Sequence, residues 1–224
     1  MRIMKIMKIL AINTALKRTT VTLLTGEKIA KEKSWLSKND EAEKLMPVIS
    51  KMVKSYDDLD AVAIVKGPGS FTGLRIGVTV ANTIAYLQKI PVYELNTFQL
   101  LWKSQEAAGD PVTKRPKGPQ KKSQEENSLA LLLFAGKKEV YLQFKQEGPV
   151  VILPIEKAKE ALENENVTHT FGSLIPEQAT QFKKFKFKET KPVIPTMKNF
   201  KKVKTAKPLY VKGPAISKPK PGLK

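Results

Sequence analysis

A glycine-rich segment, residues 66–77, constrains what this chain can fold into more than any other part of its sequence. It joins a short apolar run, residues 60–65, to a longer run, residues 74–87, whose pattern predicts a helix. Its glycines permit positive φ angles and remove side-chain bulk, so backbone N–H groups can converge beside the free amides that open the helix. The segment therefore predicts a tight strand-to-helix turn, and a phosphate-binding loop is the functional alternative.

The candidate phosphate or nucleotide loop consists of Gly67, Gly69, Ser70, Thr72 and Gly73. Two known loop types do not fit it. A Walker loop needs two glycines five residues apart followed by Lys and Ser or Thr, and this segment lacks that spacing. A nucleophile elbow needs a glycine two residues before the serine, where Pro68 stands. Spacing alone leaves the simple turn and the anion loop both open.

The first hundred residues predict alternating strands and helices. Strands are expected at residues 8–13, 19–24, 29–35, 60–65 and 91–95, and helices at 40–55, at 74–87 and from Thr97. Asp40 and Glu43 have the spacing of a capping pair at the start of the first helix. The resulting order is β-β-β-α-β-α-β-α.

Three stretches of this region resemble the bacterial TsaB family. They are GPGSFTGLRIG at residues 67–77, DDLDAVAIVK before it, and the helix-like NDEAEKLMPVISKMV. The likeness covers residues 8–101 and returns at KPLYVKGP, residues 207–214. Members of that family are subunits of the machinery that makes N6-threonylcarbamoyladenosine (t6A) in tRNA. Together with the element order, the resemblance implies an α/β fold of two ribonuclease-H-like, actin-like lobes with mixed sheets flanked by helices.

Four segments are expected along the chain. Residues 1–104 form the amino-terminal lobe, and residues 105–127, rich in glycine, proline and polar residues, form a flexible linker. A smaller, abbreviated carboxy-terminal lobe follows at 128–214, with a hairpin at 129–145, a strand at 150–154, a helix at 155–164 and a strand at 167–171. Residues 215–224 form a basic tail.

Composition bounds the cellular setting. The chain has 224 residues, 41% of them apolar, which suffices for one or two cores. Cysteine is absent, so disulfides and thiolate chemistry are excluded and a reducing compartment is expected. Because no run approaches the ~20 apolar residues of a membrane span, we expect a cytoplasmic protein without a membrane partner.

Positive charge is concentrated at the carboxy-terminal end. The formal net charge is +19, and residues 183–224 hold 14 lysines against the single acid Glu189. Lysines and phenylalanines alternate at residues 182–188, which suggests RNA contact through Lys183, Lys184, Lys186 and Lys188. A solubilising lysine surface, or an edge strand with one apolar face, explains the same pattern.

Catalytic and metal sites are sparse in this sequence. His169 is the only histidine, so sites of paired imidazoles are excluded, and a packing role in a strand is the favoured interpretation of this residue. The resemblance implies the same: the catalytic paralogue TsaD carries two histidines where this chain has Thr97 and Leu101, and Asn13 stands where TsaB proteins usually have aspartate. It therefore implies no catalytic residue, no metal and no required cofactor, with ATP or ADP binding near a partner interface left open.

The two long helices suggest a partner surface. Residues 74–87 are apolar or small nearly all round, and Gly77, Ala81 and Ala85 form a low ridge that another helix could approach. From the residues alone, packing of both helices on the chain's own sheet and on each other is the favoured explanation, but the resemblance reverses this preference and favours contact with TsaD. The expected interface residues are Glu41, Leu45, Val48, Met52, Leu74, Arg75, Gly77, Val78, Ala81, Asn82 and Ala85.

The resulting hypothesis is a non-catalytic scaffold subunit of t6A synthesis that binds and activates TsaD. The resemblance implies further that the ATPase TsaE joins the complex, that tRNA is contacted indirectly or through the basic surface, and that a homodimer forms through the same helices when TsaD is absent. An RNA-binding module is the first alternative, and a nucleotide-binding actin-fold enzyme is the second.

Overall fold

A computed structural model describes residues 6–109, 129–195 and 197–211, and it places them in two lobes that each contain one mixed sheet. The first lobe holds five consecutive strands and three helices. The strands are β1 (Lys8–Asn13), β2 (Arg18–Thr25), β3 (Lys28–Leu36), β4 (Ala61–Val65) and β5 (Val92–Leu95). The helices are α1 (Glu41–Met52), α2 (Phe71–Gln88) and α3 (Thr97–Ala107).

The second lobe repeats this plan on a smaller scale. Its strands are β6 (Leu129–Gly136), β7 (Glu139–Gln143), β8 (Val151–Pro154), β9 (His169–Ser173) and β10 (Lys188–Glu189). Helices α4 (Ile155–Asn164) and α5 (Pro176–Ala179) precede and follow β9. Both sheets contain an antiparallel meander, β3-β2-β1 or β8-β7-β6, extended on the far side by parallel strands. The predicted α/β class with two mixed sheets is confirmed.

Alternation along the central strand β1 explains the layers of the first lobe. Leu10 and Ile12 belong to a cluster with α1 and α2, whereas Ile9 and Ala11 belong to a cluster with α3. Both faces of β1 are thus covered, as is usual for a central strand paired in parallel. The α3 cluster also contains β6, β7 and β9 residues, so it joins the two lobes. Trp102 of α3 illustrates this junction, because its indole donates a 2.8 Å hydrogen bond to Gln143 Oε1 of β7.

A small residue lets α2 pack closely on the end of β1. A methyl group added at Gly77 would lie 2.1 Å from Thr14 Oγ1, well inside van der Waals contact. Thr14 itself is fully buried directly after β1. Glycine at position 77 is therefore a packing requirement of this lobe.

Residues 201–211, here called the carboxy-terminal strap, return to the first lobe. Strand β11 (Lys201–Val203) pairs antiparallel with β5 and becomes the edge of the first sheet. Asn82 of α2 then accepts a hydrogen bond from Ala206 N and donates one to Ala206 O, both at 3.0 Å. Leu209 N donates to Lys66 O at 2.7 Å. The prediction that residues 128–214 all belong to the carboxy-terminal lobe is corrected, because the strap pairs through β11 with the first sheet and bonds to the first lobe at Asn82 and Lys66.

Two local predictions differ from the structure. Asp40 makes no capping hydrogen bond, because its carboxylate accepts from Trp35 Nε1 at 3.3 Å and forms a 2.6 Å ion pair with Lys44. The hydrogen bond from Lys44 lowers the pKa of Asp40. In the segment 182–188, residues 182–185 belong to a 3₁₀ helix, Thr180–Phe185, because Phe182 and Phe185 turn into the core of the second lobe. Only Lys188, at the start of β10, belongs to an edge strand.

Most of the predicted linker and the whole of the predicted basic tail lie outside the described residues, since these exclude 110–128 and 212–224. The linker also begins later than expected, because α3 continues to Ala107. Within the described ranges, every helix is too short or too polar to cross a membrane.

Substituting Gly77 tests the packing of α2. We expect Gly77→Ala to lower the free energy of unfolding by about 2 kcal/mol, because overpacking exceeds the gain in helix propensity. In a Thr14→Ala background the obstructing Oγ1 is gone, and the same substitution should be neutral or slightly stabilising. Urea titrations of the four proteins measure this coupling, and additive effects would contradict the contact.

Substituting Asn82 tests the strap. We expect Asn82→Ala to destabilise the chain by roughly 1–3 kcal/mol and to speed hydrogen exchange of the Ala206 and Leu209 amides, because the variant cannot make the two hydrogen bonds to the strap. Thr83→Ala, at the exposed neighbouring position, is the matched control. Unchanged exchange at both amides would show that Asn82 does not hold the strap.

Candidate functional site

The glycine-rich turn lies between β4 and α2 and contacts the chain's own backbone on several sides. Gly67 has a φ of 107°, which side-chain-bearing residues rarely adopt, and a methyl group there would lie 2.9 Å from Leu209 O of the strap. At Gly69 a methyl group would lie 2.0 Å from Ala15 O. Close approach of the chain's own backbone thus explains why glycine is needed at both positions, and no ligand has to be invoked.

The polar groups of this turn are also used internally. Ser70 N donates to Ala15 O at 2.8 Å, and Ser70 Oγ caps α2 by accepting from Gly73 N at 3.2 Å. Thr72 is exposed in the first turn of α2. Nucleotide binding by these residues stays a prediction, and the amide of Ser70 is already occupied.

The positions compared with actin-type catalytic residues are buried in the first lobe. Asn13 Oδ1 accepts a 3.1 Å hydrogen bond from Ala15 N, and Thr97 Oγ1 donates to Pro68 O at 2.7 Å. Leu101 belongs to the cluster that joins the lobes. His169 begins β9, and its Nδ1 lies 2.9 Å from Thr168 Oγ1. In the described parts of the chain, no three His, Cys, Asp or Glu side chains are grouped to hold a metal ion.

Most side chains predicted for the partner interface are enclosed by the lobe itself. They pack between α1, α2 and the sheet, or under the glycine-rich turn, and the buried set is Glu41, Leu45, Met52, Leu74, Gly77, Val78, Ala81 and Ala85. The expectation that they face a partner is corrected, because this chain's own residues cover the small-residue ridge. Asn82 binds the strap, Val48 is half-buried, and Arg75 is exposed.

The solvent side of α1 and α2 carries a different set of residues. Tyr86 is 83% exposed and Leu87 is 66% exposed at the end of α2, and Met46 is exposed on α1. Near the start of α2, the Arg75 guanidinium lies 5.5 Å from the Phe71 ring centroid. This surface, here called the outer α1–α2 face, retains apolar area that the chain does not bury.

A cleft of about 320 Å³ lies where the two lobes meet. We call it the interlobe cleft. Its first-lobe wall comes from the turn after β1, the start of α1 and the glycine-rich turn, and its second-lobe wall from the ends of β6 and β9. The lining residues are Ala15, Leu16, Lys17, Ser37, Asn39, Glu41, Gly69, Ser70, Leu133, Phe134, Ser173, Leu174 and Ile175.

Two carboxylates belong to this region. Glu41 is 2% exposed, and its Oε1 accepts a long, 3.5 Å hydrogen bond from Thr19 Oγ1. Glu189 accepts hydrogen bonds from Ser173 Oγ at 2.9 Å and from Leu174 N at 3.3 Å, while burial raises its pKa. Sequence reasoning missed Lys17 and Ser173 as neighbours in one cleft, and Glu189 as the acceptor of the Ser173 hydroxyl, because no local signal links the turn before β2 with β9 and β10.

The lysines predicted to contact RNA lie on the surface of the second lobe. Lys183, Lys184, Lys186 and Lys188 are all exposed, and Lys184 forms a 2.5 Å ion pair with Glu163. The intervening Phe182 and Phe185 are buried, so their rings are not available to stack on RNA bases. The prediction that this segment offers both charge and aromatic stacking is corrected, because these two rings lie in the core and the lysines supply only charge.

Comparison with known proteins agrees with this architecture. The family model described as "TsaD: tRNA N6-adenosine threonylcarbamoyltransferase" matches residues 36–148, about half of the chain. A relative named tRNA threonylcarbamoyladenosine biosynthesis protein TsaB from Bacillus subtilis is 33% identical over 99 residues, which are 42% of this chain and 43% of that protein. The protein of the same name from Escherichia coli is 29% identical over 99 residues, 42% of each chain. The chain thus spans less than half the length of these relatives.

Two solved structures from Pseudomonas aeruginosa share the fold. One, described as YeaZ, is 22% identical with a TM-score of 0.51, and the match covers 67% of this chain and 68% of that one. The other, described as an uncharacterized protein with similarity to peptidase YEAZ, is 19% identical with a TM-score of 0.62 and coverage of 92% and 100%. With the family model and the sequence relatives, they confirm the resemblance indicated by the glycine-rich segment. The chain therefore belongs to the family described as TsaD: tRNA N6-adenosine threonylcarbamoyltransferase, and over 42% of its length it is similar to relatives named TsaB.

Proposed function

We propose that this chain is a non-catalytic subunit of the machinery that makes t6A in tRNA, and that it binds and activates a TsaD-type catalytic subunit. The names of its relatives support the pathway. The catalytic role is assigned to the partner because Asn13, Thr97 and Leu101 stand where the paralogue's metal-binding groups are expected, and neither an amide nor a leucine replaces a carboxylate or an imidazole.

The observation that carries this proposal is the apolar area left on the outer α1–α2 face. Tyr86 and Leu87 are large side chains that would lose most of their exposed surface against a partner. Burying such side chains contributes on the order of 1.5–3 kcal/mol each. A related lobe with two helices of its own offers a matching surface. The same face would serve a homodimer when the catalytic subunit is absent, and TsaE and tRNA would join the heterodimer.

Charge substitution on this face tests the assignment. We expect Thr79→Arg combined with Tyr86→Glu to abolish co-purification with a co-expressed TsaD-type protein, because both positions are exposed in the middle and at the end of α2. Val151→Glu, an exposed position on β8 of the second lobe, is the control and should leave the complex intact. Size exclusion of the co-expressed pair measures both results.

The design avoids Ala81, since a charge at that fully buried position would unfold the lobe instead of testing a surface. If the unmodified chain forms no complex with the TsaD-type protein, the proposed function is wrong. If the complex forms and survives the double substitution, the function stands and the outer α1–α2 face is not the interface.

A second candidate function is direct contact with tRNA through the exposed lysines of the second lobe. It is favoured by their number, since residues 183–198, which precede the strap, contain six lysines and the single acid Glu189. Each lysine that neutralises a phosphate adds to the salt dependence of binding.

Neutralising these lysines tests RNA contact. We expect replacement of Lys183, Lys184, Lys186 and Lys188 by Gln to flatten the salt dependence of tRNA binding, by roughly 0.7–0.9 in the log–log slope for each phosphate that is no longer neutralised. A matched set on the first lobe, Lys28, Lys31, Lys33 and Lys51, keeps the same net charge and should leave the slope unchanged. Equal slopes for the two sets would exclude this surface as an RNA site.

A further inference from the structure

The interlobe cleft contains a buried carboxylate that the described part of the chain leaves without a counterion. Glu41 Oε2 has no hydrogen-bond partner there, and Oε1 has only the 3.5 Å contact to Thr19. At 2% exposure the side chain is almost fully removed from water. Burying a carboxylate in this way is costly, and native proteins satisfy such groups with donors or cations.

The start of α1 gives this carboxylate only partial compensation. Glu41 is the first residue of the helix, where the macrodipole favours negative charge, and Gly73 at the start of α2 lies beside it. These dipoles stabilise the charge, but they supply no direct donor to Oε2. The unmet requirement is a hydrogen-bond donor with positive charge.

Neighbouring charges leave that requirement open. Lys17 lines the same cleft, but it interacts electrostatically with Glu189, as does Arg18. No salt bridge joins Glu41 to any cation in the described ranges. A nucleoside triphosphate is a poor match, since its phosphates would meet the Glu41 carboxylate and the Ser70 amide is already bonded to Ala15.

The other side chains that line the cleft indicate the chemistry of the rest of a ligand. Leu16 on the first lobe and Leu133, Phe134, Leu174 and Ile175 on the second provide apolar surface. A volume of about 320 Å³ lies at the lower end of the range of small-molecule sites. The cleft is therefore suited to a short hydrocarbon group that carries one cationic donor.

We propose that the interlobe cleft binds a small aliphatic primary ammonium compound, with the ammonium group attracted to the Glu41 carboxylate in the cleft wall and the hydrocarbon chain against the apolar side chains of the second lobe. Such a ligand contacts both lobes at once, so it would also stabilise their arrangement. This inference goes beyond the proposed function and is independent of any partner protein.

The test uses the purified full chain and n-butylammonium chloride, with n-butyrate and n-butanol as matched probes of equal chain length. We expect saturable shifts of the Leu133 and Leu174 methyl NMR signals with the ammonium probe only. Glu41→Gln should weaken binding about tenfold, because a charge-assisted hydrogen bond is replaced by a neutral one. Glu43→Gln, at an exposed position of the same helix turn, should bind as the unmodified chain does.

A second variant keeps the test decisive if Glu41→Gln fails to fold. Phe134 lines the cleft and is 37% exposed, so Phe134→Ala should fold and should weaken butylammonium binding several-fold, because the smaller side chain covers less of the hydrocarbon chain. Absence of saturable binding, equal binding of butyrate, or full affinity in the Glu41→Gln chain would each overturn the proposal. None of these results depends on whether a TsaD-type protein binds.

Discussion

Close packing between α2 and the turn after β1 is the interaction on which the rest of the first lobe depends. Three glycines permit it, since methyl groups at Gly69, Gly73 and Gly77 would fall 2.0, 2.3 and 2.1 Å from atoms of Ala15 or Thr14. At Gly69 and Gly73 the obstructing atoms are backbone oxygens, so the overlap cannot be relieved without moving backbone, whereas at Gly77 the obstructing atom is the Thr14 hydroxyl oxygen. The packing places α2 over β1 and β4, positions α1 beside it, and brings Ser70 and Glu41 to one wall of the interlobe cleft.

This packing favours interpreting the glycine-rich segment as a tight strand-to-helix turn over a phosphate-binding loop. A turn whose amides and glycine surfaces contact the chain itself has less backbone left for a phosphate, and Ala15 O already accepts the Ser70 amide. The strap then covers the opposite side through Lys66 and Gly67. The KPLYVKGP resemblance near the end of the chain is explained in part by this arrangement, because Leu209 and Tyr210 pack on the turn and on Phe71.

The two surfaces left over by this core differ in chemistry. The outer α1–α2 face combines exposed aromatic and aliphatic side chains with polar ones, which is typical of a protein interface. The interlobe cleft is a partly open, partly apolar concavity, and one of its carboxylates, Glu41, forms no ion pair within the described ranges. A macromolecular partner fits the first surface and a small ligand fits the second, so the two proposals concern separate parts of the molecule.

Local patterns determined the elements: the helix predicted at 155–164 agrees with α4 to the residue, and the strand predicted at 8–13 agrees with β1. The GPGSFTGLRIG segment was sufficient to indicate the family. Sequence could not tell which apolar helix face stays exposed, because Ala81 and Gly77 look the same whether a partner or the chain's own sheet covers them. The strap on β5 and the grouping of Glu41 with Ser173 were likewise decided by tertiary structure alone, since these contacts join residues more than a hundred positions apart and leave no short-range signature.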